Sequence, residues 1–126
     1  MAEELVRLDI PALPAFVGVA RSVVGTVAAT VERLDDDRLD DLRLAVSEAT
    51  TNAVEGHDGD QRVVLRCLLA DDTFDVTIFD PAGSLAAASI AEQGWGLQLI
   101  TALVDDVTFV SEDGGTGVTL RVALEP

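Results

Sequence analysis

Five apolar residues, Leu39, Leu42, Val46, Ala49 and Ala53, recur at steps of three and four along a stretch otherwise rich in charge. On a helix of 3.6 residues per turn they form a single stripe, so this segment must bury one side against a second layer. Asp35, Asp36 and Asp37 stand ahead of the stripe and offer both N-cap oxygens and negative charge for the positive end of a helix. The pattern predicts a helix that starts near Asp37 and ends around Gly56, with His57, Asp58, Gly59 and Asp60 as a polar turn.

The segments on either side have different periods. Residues 4–10 alternate around Arg7 and Asp9 and stop at Pro11 and Pro14, the mark of an edge strand. Residues 15–34 place Phe16, Val19, Ala20, Val23, Val24, Val27, Ala28 and Val31 at helical spacing, which predicts one long helix despite Gly18 and Gly25. Residues 63–70 and 73–79, parted by Asp71 and Asp72, read as an antiparallel hairpin, and Asp80 comes directly after it. A loop of small residues over 81–93 leads to a helix over 94–104. Strands over 106–110 and 118–124 then flank a turn made of Gly114, Gly115, Thr116 and Gly117. This order has too few crossovers for a doubly wound parallel sheet. It predicts an α+β fold: a two-layer α/β sandwich with the helices on one face of a mixed, mostly antiparallel sheet. A length of 126 residues suits one domain spanning 1–126.

Charge narrows the function classes. All eight cations are Arg, against 23 Asp and Glu, for a net charge of -15. Such a surface repels phosphate backbones and anionic lipid, which argues against direct nucleic-acid or membrane partners and favours a basic partner patch. The lone Cys67 sits in an apolar run and reads as a buried thiol in a reducing compartment. The acidic N-terminus does not resemble a signal peptide, and residues 16–31, broken by Arg21 and Ser22, are too short to span a bilayer. A cytoplasmic location is expected.

Several residues are suited to chemistry. Glu48 and Asn52 lie four apart on one helix face, where a carboxylate can take a proton and an amide oxygen can meet a hard cation. The same spacing also suits a solvated acidic face shared with Asp41 and Glu55. Asp80, with Gly83 three residues on, can accept from an amino group such as that of adenine, or simply cap a turn before proline. Gly94 and Gly96 flank Trp95 ahead of Leu97, a context for phosphate on bare N–H groups or for a tight turn alone. A P-loop is excluded, because no lysine follows the glycines. Thr116 offers a hydroxyl beside Gly115. His57 has neither a Cys nor a second His to build a zinc site.

Taken in order, Leu42-Arg-Leu-Ala-Val-Ser-Glu-Ala-Thr-Thr-Asn-Ala53, Asp80 after a strand, Gly94-Trp-Gly-Leu97 opening a helix and Gly115-Thr116 before the last strand resemble a known family. They are similar to the N, G1, G2 and G3 boxes of the anti-sigma factor kinases, small members of the histidine-kinase-like ATPase superfamily. The Ala-Leu-Val-Asp-Asp-Val run after the second glycine box is similar too, and the likeness covers nearly the whole chain from Val6 onward. The resemblance implies a protein that binds ATP and magnesium, sequesters a sigma factor and phosphorylates Ser or Thr on a STAS-domain antagonist. It also implies a homodimer. By the same resemblance Glu48 is the general base and Asn52 the magnesium ligand. Asp80 holds the adenine amino group, Gly83 belongs to the G1 box, Gly94, Gly96 and the N–H of Leu97 line the phosphates, and Thr116 lies on the adenine side.

The chain departs from that pattern at named positions. Ala82 and Ser84 stand where the G1 box has glycines, Trp95 stands between the G2 glycines, His57 comes one residue late, and the segment between Asp80 and Gly94 is short. Two further readings therefore stand beside the kinase: a nucleotide-independent protein-binding module of the same fold, and the detached ATPase domain of a sensor histidine kinase. The last lacks a phosphoacceptor histidine helix.

Overall fold

The computed structural model describes residues 2–55, 60–82 and 95–126. Its elements run, in chain order, β1 (Glu3–Pro11), a single 3-10 turn (Pro14–Phe16), α1 (Val17–Ala28), α2 (Asp36–Val54), β2 (Arg62–Leu69), β3 (Thr73–Asp80), α3 (Trp95–Leu103), β4 (Asp106–Glu112) and β5 (Gly115–Ala123). The strands form one sheet in the order β1-β2-β3-β5-β4, so β1 is an edge strand as its polar alternation predicts. All four pairings are antiparallel, which leaves no parallel pair among the described residues where a mixed sheet was expected.

Alternation divides the sheet into two faces. On β3, Phe74, Val76, Ile78 and Asp80 are buried, and on β5 Val118, Leu120 and Val122 are buried in the same phase. With Val63, Leu65 and Cys67 of β2 they meet the helices in one core. All five residues of the α2 stripe are buried there, and Ala45, Thr50 and Val54 widen the buried face. Asp35 is the N-cap, its carboxylate accepting from the Arg38 backbone N–H at 2.8 Å. That bond holds the Asp35 carboxyl below its ordinary range.

Three boundaries differ from the sequence reading. The first helix stops at Ala28 instead of continuing to Leu34. Backbone bonds from Val31 to Ala28 and from Leu34 to Val31 close tight turns that fold both apolar side chains into the core. Arg33, freed from the helix, reaches the carbonyl of Asp71 at 2.6 Å and ties this corner to the β2–β3 turn. Strand β3 runs through Asp80, which therefore belongs to the sheet and does not follow it. The last turn is only Asp113 and Gly114, at φ 49° and 81°, and Gly115, Thr116 and Gly117 are strand residues. The glycines there serve close approach: a Cβ on Gly117 would meet the Ile78 carbonyl oxygen, and one on Gly115 would enter the Phe79 ring.

Candidate functional site

Helix α2 carries Glu48 and Asn52 on the flank next to the buried Ala45, Ala49 and Ala53. Both are half-buried and make no hydrogen bond or ion pair with another described side chain. They are therefore presented, not consumed, by the fold. α2 packs on α3 and also crosses β3 and β5, the two central strands.

Those strands supply the second pair. Asp80 and Thr116 are Cα partners at the end of the β3–β5 ladder, both in phase with the core-facing residues. Asp80 is fully buried, and its Oδ1 accepts from the Ala82 backbone N–H at 2.9 Å. This bond turns the chain immediately after the strand. Asp113 is the only described residue other than glycine at positive φ, so Ala82 takes its place in that turn without backbone strain. Thr116 Oγ1 is buried with no hydrogen-bond partner among the described residues. A hydroxyl in that state costs about 1–3 kcal/mol, and a ligand with a matching polar edge relieves it. A buried carboxylate and a buried, unpaired hydroxyl on paired residues are chemically suited to a flat group with adjacent polar atoms.

The third part is α3, whose first turn includes Gly96 and Leu97. Backbone N–H groups in a first helical turn have no intrahelical acceptor, and the dipole adds positive potential for an anion. Leu97 itself packs against the core, which anchors that turn. Gly83, Gly94 and His57 lie outside the described residues. Glu48, Asn52 and the start of α3 thus lie in the helix layer, and Asp80 and Thr116 are in phase with the sheet residues that face it.

Two features were not legible in the sequence. Thr50 is fully buried on α2 with an unpaired Oγ1, but at 100° per residue it lies on the far side of the helix from Asn52. Its position among Ala49, Thr51 and Ala53 carries no signal to single it out. Phe79 covers Gly115 from the opposite face of the sheet, so the glycines of the last box have a packing role independent of any ligand. Among the described residues no group of three or more His, Cys, Asp or Glu could hold a metal. A cation here would rely on an amide oxygen and on ligands from a bound phosphate and water, the habit of magnesium.

Comparison with known proteins places this arrangement. The chain is 32% identical to the serine-protein kinase RsbW of Bacillus pumilus and 28% identical to that of Bacillus subtilis, each over 90% of this chain and 82% of the kinase. The crystal structure of the RsbU and RsbW domains of a Mycobacterium tuberculosis protein superposes with a TM-score of 0.71 at 26% identity. That match takes in 96% of this chain and 33% of the larger one. Residues 10–122 match the histidine kinase-like ATPase domain, and the antiparallel sheet with its single helix layer agrees with that match; the chain belongs to this family.

Proposed function

We propose that this protein is an anti-sigma serine-protein kinase: it binds ATP with magnesium, sequesters a sigma factor as a homodimer, and phosphorylates a Ser or Thr of a STAS-domain antagonist. The observation that carries the reading is the buried Asp80 beside the unpaired Thr116 hydroxyl at the end of the central strands, in a member of this ATPase family. In this reading Asp80 accepts from the adenine amino group and Thr116 supplies the adjacent polar contact. The N–H groups of Gly96 and Leu97, with Gly94 and Gly83 beyond the described residues, hold the phosphates.

Glu48 accepts the proton of the antagonist's hydroxyl as its oxygen attacks the γ-phosphorus. The bond from that phosphorus to the β–γ bridging oxygen breaks, and ADP leaves with the electron pair. Asn52 offers its amide oxygen to magnesium, which neutralises charge on the phosphates when bound. With no lysine in the chain, the N–H groups at the start of helix α3 and the cation would supply the positive potential. The unstrained turn at Ala82 favours this reading over the nucleotide-independent module, because a side chain at that position leaves the Asp80 geometry intact.

Thermal melting with magnesium-ATP tests the site directly, since ligand at about 100 times its dissociation constant adds about 2.7 kcal/mol. The wild-type melting temperature should rise, Asn52→Ala should cancel the rise, and Glu48→Gln should keep it while abolishing phosphoryl transfer to a STAS-domain substrate. A melting temperature indifferent to ATP, with sigma binding intact, would establish the binding module instead.

A further inference from the structure

The run over 102–107, at the end of α3, takes no part in the mechanism above, yet its Asp105 joins three elements. The Asp105 backbone N–H donates to the Arg121 carbonyl at 2.9 Å, and its Oδ2 accepts from the Ala123 N–H at 2.6 Å, so the residue is fixed to β5. The same Oδ2 accepts from Nη2 of Arg38, in the first turn of α2. The end of α3 is thereby bonded to the start of α2. Because the two helices also pack on each other, α3 runs back along α2, with Gly96 and Leu97 toward the half that carries Glu48 and Asn52.

Among the described residues, no other hydrogen bond or ion pair joins α3 or its C-terminal end to α2. Leu97, Ile100, Leu103 and Val104 supply apolar packing, which is non-directional and tolerates tilting. The Thr101 hydroxyl donates within its own helix, to the Gln98 carbonyl. Leu97 precedes Asp105 by about 12 Å of chain at helical rise, so a tilt of about 5° at the pinned end moves the first turn by about 1 Å. A misplacement of that size costs up to about a hundredfold in rate.

Resting on the kinase reading above, we propose that Arg38 and Asp105 are positioning residues for phosphoryl transfer. Together they set the tilt of α3, and so where its first N–H groups meet the phosphates relative to Glu48 and Asn52. The couple lies at the end of α3 away from the phosphates and acts through the helix. Its contribution to folding is small, because both side chains are partly exposed and Arg38 Nε is buried with no hydrogen-bond partner among the described residues. A pair that stabilises little but fixes geometry is separable from an ordinary surface ion pair.

Two conservative variants make the separation. Arg38→Met keeps the aliphatic stem and removes both the bond and the unpaired Nε, while Asp105→Asn keeps an oxygen for the Ala123 N–H and removes the charge. Each should leave the nucleotide-free melting temperature within about 2 °C of wild type. Each should also lower kcat/KM for ATP about tenfold with KM for a STAS-domain substrate unchanged. The double variant should be no worse than either single one, since all three break one couple. Arg38→Lys, which restores a cation, should recover part of the loss. Arg62→Met, which breaks a more exposed pair with Asp9 between β1 and β2, should leave the ATP kinetics as they are. ATP kinetics unmoved by Arg38→Met and Asp105→Asn, additive losses in the double variant, or losses matched by a fall in nucleotide-free melting temperature would overturn the positioning role while leaving the kinase standing. A wild-type protein that phosphorylates no STAS-domain substrate would overturn both.

Discussion

Burial dominates the chemistry of Cys67, whose thiol is pushed up to about 12 on strand β2. The ordinary value is 9.0, so between that pH and about 12 the unfolded chain loses a proton that the folded chain keeps. Stability is therefore unaffected by this group below pH 9.0 and falls as pH rises through that window. At neutral pH a disulfide reagent should find no reactive thiol in the native protein and one per chain in denaturant; rapid native labelling would place Cys67 outside the core. Residue by residue, the candidate site was legible in kind but not in environment. Spacing put Glu48 and Asn52 on one helix face, yet nothing in the sequence announced that Asp80 is fully buried or that Thr116 is a strand residue facing it. Both depend on the β3–β5 register, a non-local pairing that no short motif encodes.

At the scale of elements, α2 was readable because stripe, cap and acidic first turn all point to one structure. The end of α1 was not, because apolar spacing continues past Ala28 while the chain turns to bury Val31 and Leu34 separately. The last hairpin misled for a related reason: its glycines look like turn residues, but only Gly114 serves the turn, and Gly117 exists to let β5 approach β3. The two uses of glycine predict opposite mutational signs. Gly117→Ala drives a Cβ into the Ile78 backbone, which cannot move aside, and should cost about 1–3 kcal/mol as other overpacked sites do. Gly18→Ala, inside α1 with nothing near its added Cβ, should gain up to about 1 kcal/mol of helix propensity. Chemical denaturation of the two variants reads both signs. Equal small effects would mean that β5 can draw away from β3 at no cost.

For the molecule as a whole, charge sets the balance of salt effects. Among the described residues, six of the eight arginines pair with carboxylates: Arg33, Arg38, Arg43, Arg62, Arg66 and Arg121. All are partly exposed, so each pair contributes little in water and loses some of that on screening. Against them stands the mutual repulsion of an excess of 15 negative charges held within one small domain. At about 0.01 M salt the screening length is about 30 Å, comparable to the domain, and every carboxylate feels the rest; at 1 M it is about 3 Å and only contacts survive. Repulsion sums over many pairs and attraction over few, so screening removes more of the former. Melting temperature at pH 7 should therefore rise between these extremes, by roughly 4 °C for each 1 kcal/mol gained. Sodium chloride and a non-kosmotropic salt such as sodium bromide should act alike if screening is the cause. A fall with both salts would mean that the six arginine pairs outweigh the repulsion and hold the fold together as a network.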